Sequence, residues 1–189
     1  MVSLRTWQTI ARQQVLNLGK YLSVELHSVQ LPDDRVIKDW PWVITPDYVN
    51  VALVTAHGDW VCFRQTKYAV EGTSLATVGG YIEPGEDPLE AAKRETMEES
   101  GYEAQEWISL GQYPVDGNRG SGRAYFYLAL SAEQVADIDA DDLEDQQLLL
   151  LSRDEVKAAL KAGDFKLLPW IAVIAMALQW TGVDGERFS

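Results

Sequence analysis

A chain of 189 residues is long enough for one domain with a small appendage, and folding buries roughly 70% of the unfolded surface at that size. Its composition, 47% hydrophobic and 24% charged, is that of a globular protein rather than a disordered one. The formal charge of −13 argues against nucleic-acid backbones and anionic membranes as partners, because neither polyanion releases its counterions to an acidic surface.

The N-terminal MVSLRTWQTIARQQ has neither the uninterrupted apolar core nor the small-residue cleavage pattern of a secretory signal. From residue 21 to 45, short runs such as YLSVELHSVQL alternate apolar and polar residues, turn at residues 31–35 and resume at Val36, which predicts a small antiparallel sheet. Residues 41–46 are read as the boundary between that N-terminal β region, 1–45, and the main domain, 46–189. YVNVALVTA and DWVCFRQT flank His57-Gly58 as the arms of a hairpin. Cys62 lies inside the second arm. As the only cysteine it excludes an internal disulfide and multi-cysteine zinc sites, and it fits a reducing, cytoplasmic setting.

RAYFYLAL, residues 123–130, reads as a further strand preceded by the flexible GNRGSG. DIDADDLEDQQ then reads as an acidic loop leading into LLLL. Ser152 and Glu155 have capping-box spacing, and Gly163 can end the helix they start. Pro169 suits the first position of a last helix, PWIAVIAMALQW, which is shorter than the roughly 20 residues that cross a bilayer and reads as a core helix. Strands, a glycine turn, a helix, more strands and two helices predict a mixed α/β architecture.

The chemistry concentrates in GYIEPGEDPLEAAKRETMEESGY, residues 80–102. Asp87 as N-cap, Pro88 and Glu90 start a helix that runs to about Ser100, where Gly101 supplies a left-handed exit. Leu89, Ala92 and Thr96 share a core-facing stripe, which places Glu95, Glu98 and Glu99 together on an adjoining arc. Like charges three and four residues apart repel, and all three crowd the negative end of the helix dipole. A divalent cation reverses each of these effects, and hard oxygen ligands select Mg2+ or Mn2+. Arg94 has the planar fork to hold a carboxylate in place, and Gly79-Gly80 let the backbone approach a metal or phosphate.

Residues 80–102 resemble the signature of the Nudix hydrolases, with Gly80, Glu86, Arg94, Glu95, Glu98, Glu99 and Gly101 all in register. Thr96 and Tyr102 stand where that pattern has aliphatic residues. The resemblance implies an α/β/α sandwich with a mixed sheet, beside the small N-terminal sheet, and hydrolysis of a nucleoside diphosphate linked to another moiety. It matches Glu95 and Glu99 to metal ligands, Glu98 to a further ligand or base, Arg94 to the residue orienting them, and Gly79 to a carbonyl that completes the site.

The wider layout is similar to the ADP-ribose pyrophosphatase branch, which implies ADP-ribose or a nucleotide sugar as substrate and a homodimer built through the N-terminal sheet. Glu144 in the acidic loop matches a general base there, with Asp142 and Asp145 as near alternatives. LATVGG departs from that branch at Ala76 and Val78, and Asp116-Gly117-Asn118 stands where a proline is usual. Cations held by Glu95, Glu99 and Gly79 would neutralise phosphate oxygens and acidify a water, with Glu98 or Glu144 accepting its proton. Arg64, Lys67, Arg119 and Arg123 are available to hold phosphate or ribose, and Trp40, Tyr48 or Tyr68 to stack a base. His27 and His57 have no partner at metal-ligand spacing and are given no role. The alternatives from other classes are a non-catalytic nucleotide-sensing module and a hydrolase of dinucleoside polyphosphates or nucleoside triphosphates.

Overall fold

The computed structural model describes residues 4–138 and 146–180, and the chain divides into two units. The first comprises the residues up to Asp47 together with Tyr113–Arg123. Its sheet is antiparallel, β1 (Gln8–Asn17), β2 (Ser23–Gln30) and β3 (Val36–Ile44), in that order. The predicted turn at 31–35 joins β2 to β3, closed by Leu31 N–H donating to the Arg35 carbonyl at 2.8 Å, with Asp34 left-handed at φ 65°. An aspartate tolerates that conformation better than most side chains.

β1 lies outside the residues from which a sheet is predicted. It is polar along most of its length and exposed at every position, so no alternation betrays it. Pro41, inside the predicted boundary, belongs to β3 opposite Leu26. The unit's buried centre is small: His27 and Val29 on β2, with the His27 ring stacked on Trp42 at 5.1 Å and its Nε2 2.7 Å from Glu25 Oε2. Trp40 Nε1 donates to the Asn118 carbonyl at 3.0 Å, and Trp7 meets Trp40 edge-on.

The second unit, Tyr48–Gln112 and the residues from Ala124 onward, carries a six-stranded mixed sheet. Its strands are β4 (Tyr48–Thr55), β5 (Trp60–Thr66), β6 (Thr73–Ala76), β7 (Tyr102–Pro114), β8 (Arg123–Gln134) and β9 (Gln146–Leu151). β4 and β8 are parallel, while β5 is antiparallel to β4, β6 and β9. The predicted 48–66 hairpin forms, but its arms pair only near the turn, Leu53 with Val61 and Val54 with Trp60. Beyond that point they diverge.

The chain after β5 fills the fork. β6 pairs with residues 63–66 of β5, and the next residues cross to β4, where Val51 N–H donates to the Val78 carbonyl and Val49 N–H to the Gly80 carbonyl, both at 2.9 Å. This wedge fixes where the glycine turn emerges. Three helices complete the unit, α1 (Pro88–Ser100), α2 (Arg153–Ala162) and α3 (Leu168–Trp180). α1 and α3 both pack on β4, which is buried from Val49 to Thr55, and α2 packs on α3 and β9.

The helix ends follow the local signals. Asp87 Oδ1 accepts from Leu89 and Glu90 N–H, Gly101 is left-handed, and Ser152 and Glu155 form the reciprocal capping box. Arg153 Nη2 donates at 2.8 Å to the Leu178 carbonyl, one of the terminal acceptors of α3. Cys62 is fully buried in β5, and burial pushes its thiol up to about 12. Ala76 and Val78 are likewise fully buried, so the two departures in LATVGG are packing residues. No helix among the described residues is long and apolar enough to cross a membrane.

Candidate active site

α1 presents its small residues to the core. Ala91, Ala92, Thr96 and Ser100 are buried, and Leu89 packs at the margin. Thr96 is accommodated where an aliphatic residue is usual because its hydroxyl donates to the Ala92 carbonyl one turn back, at 2.7 Å. With that face fixed, the acidic arc faces the Gly79-Gly80 turn. The Val78 and Gly80 carbonyls are taken by β4, so strand alternation directs the peptide edge of Gly79 the other way, toward α1. Gly79 N–H donates there to Glu99 Oε2 at 3.0 Å.

Gly80 is required by closeness rather than by conformation. A Cβ on it would fall 2.1–2.3 Å from the carboxylate of Glu95, which occupies the space that a side chain would fill. Burial raises the pKa of Glu95, against the opposing pull of Arg94. The carboxylate is 14% exposed, whereas Glu98 is 53% exposed.

Arg94 organises the cluster. Its Nε and Nη2 form a fork on Glu86 at 2.9 and 3.0 Å, and its Nη1 donates to Glu95 at 2.8 Å and to Glu98 at 3.0 Å. The Arg94 hydrogen bonds, helped by Glu83 N–H, lower the Glu86 pKa to about 2. The same bonds, Glu86 first, raise the pKa of Arg94. Glu86, in register with the signature, is the principal anchor of the arginine.

Arg94 thus bonds three carboxylates, Glu86, Glu95 and Glu98, while Glu99 accepts from Gly79 N–H, so the four carboxylates exceed the one guanidinium by three formal negative charges. The donors are all oxygen, which fits a hard divalent cation, and the missing side chain of Gly80 lets the Glu95 carboxylate lie directly against the turn. In this arrangement Glu95 and Glu98 converge on Arg94, and among the described residues no three His, Cys, Asp or Glu side chains form a group able to hold a metal. Like charges gather on the nearest cation, here the one built into the helix.

The other expected residues are placed as follows. Arg64 is exposed on β5, and Lys67 lines a cavity of about 280 Å³ beside Gly79, Gly80 and Glu99. Arg119 and Arg123 belong to the first unit, Arg119 lying 5.8 Å over the Trp40 ring and Arg123 N–H donating to Asp47 Oδ1 at 2.8 Å. Tyr48 lines the cavity, while Tyr68 is fully exposed and not a core residue. Glu144, Asp142 and Asp145 lie outside the described residues. Asn50, Gln65, Thr77 and Trp170 also line the cavity, and no spacing in the sequence marks them, because the fold alone brings them beside Gly79.

The NUDIX domain model matches residues 45–171 of this chain. An ADP-ribose pyrophosphatase of Bacillus subtilis (strain 168) is 29% identical over 158 residues, covering 78% of this chain and 84% of that protein. A methanol dehydrogenase activator of Bacillus methanolicus is 27% identical over 157 residues, 82% and 83% of the two chains. The crystal structure of an ADP compounds hydrolase superposes with a TM-score of 0.80 at 18% identity, over 95% of this chain and 96% of the other, a likeness of fold.

Proposed function

This chain belongs to the Nudix family, a premise from which we propose that it cleaves the pyrophosphate of a nucleoside diphosphate linked to another moiety, ADP-ribose or a nucleotide sugar. The observation that carries this reading is the surplus of carboxylates gathered where the Gly79 edge meets α1. Gly79, Glu95 and Glu99 would hold Mg2+ or Mn2+, which supplies neutralisation of the phosphate oxygens and a more acidic water.

The remaining work falls to side chains of this protein. Arg94 keeps Glu95 and Glu98 apart from random rotamers, and Glu86 keeps Arg94 in place. Glu98, the most exposed of the arc, can accept a proton from water; Glu144 is the second base in this reading. Lys67 at the cavity wall offers local positive charge to a phosphate in an acidic protein, and Arg64, Arg119 and Arg123 remain further contacts of the same reading. A cytoplasmic setting and a homodimer through the N-terminal sheet belong to it as well.

A second reading is favoured by the relative named as an enzyme activator, namely a nucleotide-responsive regulatory module. One assay separates the two. The protein is incubated with Mg2+ or Mn2+, with and without EDTA, on ADP-ribose, GDP-mannose, diadenosine polyphosphates and nucleoside triphosphates, and released phosphates are measured. Cation-dependent hydrolysis of ADP-ribose or the nucleotide sugar supports the first reading; binding of nucleotide without hydrolysis of any of them supports the second.

A further inference from the structure

β4 is apolar along its core except at one place. Asn50, 4% exposed, sits between the fully buried Val49 and Val51. Among the described residues its Nδ2 makes only long contacts, 3.4 Å to Thr77 Oγ1 and 3.5 Å to the Val78 carbonyl, and its Oδ1 has no hydrogen-bond partner. A buried acceptor left unmatched is destabilising where an apolar residue of similar size is not, so its presence calls for a use. The amide lies against Gly79, where a Cβ would meet Nδ2 at 2.3 Å, so glycine leaves the amide its room. Asn50 also stands on the wall of the 280 Å³ cavity that Gly79, Gly80 and Glu99 share with Gln65 and Trp170.

Substrate chemistry decides what enters that cavity. In a nucleoside diphosphate linked to a sugar, the group joined to each phosphate is a sugar ring, and the base stands one ring farther away. A cavity sharing Gly79 and Glu99 with the reacting diphosphate therefore receives a sugar. A carboxamide matches a vicinal diol, its oxygen accepting from one hydroxyl and its NH2 donating to the next. The terminal torsion of asparagine is broad, so a modest turn presents the unpaired oxygen to the cavity.

We propose that Asn50 reads the vicinal hydroxyls of the sugar ring adjoining the scissile pyrophosphate and thereby sets specificity for hydroxylated over deoxygenated sugars. This deepens the hydrolase reading and rests on it. The test compares wild type with Asn50→Leu on ADP-ribose and on two analogues, each lacking the hydroxyl pair of one ribose. Wild type loses about tenfold or more in kcat/KM on one analogue, because a site built to bond a hydroxyl rejects its absence. Asn50→Leu falls by a similar factor on ADP-ribose, no longer distinguishes that analogue, and melts no lower than wild type.

Retained discrimination in Asn50→Leu overturns the proposal, as does a lower melting temperature with equal loss on every substrate, which marks a structural residue. If wild type hydrolyses nothing in the panel, the hydrolase reading fails by itself. Calorimetric titration with methylene-bridged ADP-ribose and its two dideoxy forms then still decides the role of Asn50: a binding preference erased by leucine upholds it, and equal binding of the three ligands to both proteins overturns it.

Discussion

Two carboxylates on the same arginine should respond to substitution in opposite directions. Glu86 has a pKa lowered to about 2 from an ordinary 4.5, so its ionised form stabilises the fold. That contribution is complete above about pH 5 and is lost as pH falls through 4.5 toward 2. Glu86→Gln should therefore cost about 1 kcal/mol at neutral pH, partial exposure limiting the effect, and the gap to wild type in urea melts should close across that acid range. Glu95 has its pKa raised by burial, so its ionised form is a cost to folding that is present at neutral pH and relieved as pH falls. Glu95→Gln should melt at or above the wild-type temperature at pH 7 while losing hydrolysis, a split that identifies a carboxylate kept for chemistry. Glu99→Gln should likewise leave the melt intact and reduce turnover by about two orders of magnitude or more. Unchanged turnover in a folded Glu99→Gln would remove that residue from the site.

At the scale of elements, the glycines that bracket α1 are needed for different reasons. On Gly80 a Cβ meets only the far end of the Glu95 side chain, which can swing away, whereas on Gly101 it meets the Ala136 carbonyl at 2.2 Å with the backbone at φ 72°. Gly80→Ala should fold with nearly wild-type stability and fail in hydrolysis, while Gly101→Ala should lose more than about 1 kcal/mol in denaturant melts before any effect on chemistry is considered. Equal destabilisation by the two would show that the Glu95 carboxylate has no freedom to move. The same distinction between local and distant causes explains what could be read from the chain beforehand. α1 and α2 announce themselves because Asp87, Gly101, Ser152, Glu155 and Gly163 act on neighbours within a turn, and α3 through Pro169 and its apolar run. β1 and β7 escape because exposed or half-exposed strands have no strict alternation, as in QTIARQQVLN and YEAQEWISLGQYP. The fork filled by residues 73–81 is invisible for another reason: it depends on β4 and β5 diverging beyond their turn, a relation between segments that no spacing encodes. The carboxylates of the candidate site were legible from helical spacing; Asn50 and Trp170 were not, since the fold alone brings them to Gly79.

For the whole molecule, self-association is a contest between net charge and an exposed apolar edge. Two copies each carrying −13 repel, and that repulsion weakens with salt. Against it stands β1, exposed at every residue and, among the described residues, paired only with β2, with Ile10, Val15 and Leu16 each more than 40% exposed. A long edge strand with apolar side chains and unpaired peptide groups invites another strand, and the sheet it belongs to has little buried centre of its own. A homodimer through this sheet should therefore tighten as salt rises, the reverse of an interface held by ion pairs. Sedimentation equilibrium at low and high salt should show a mass near twice 21.2 kDa, with the dissociation constant falling as sodium chloride increases. Ile10→Asp with Val15→Asp should yield a monomer at both ionic strengths, because each new charge adds repulsion at the contact and removes apolar area from it. Their melting temperature under monomeric conditions should fall only modestly, since each side chain is already about half exposed. A wild-type protein that sediments as a monomer at every salt concentration would leave β1 as a plain edge and the N-terminal sheet without a part in assembly.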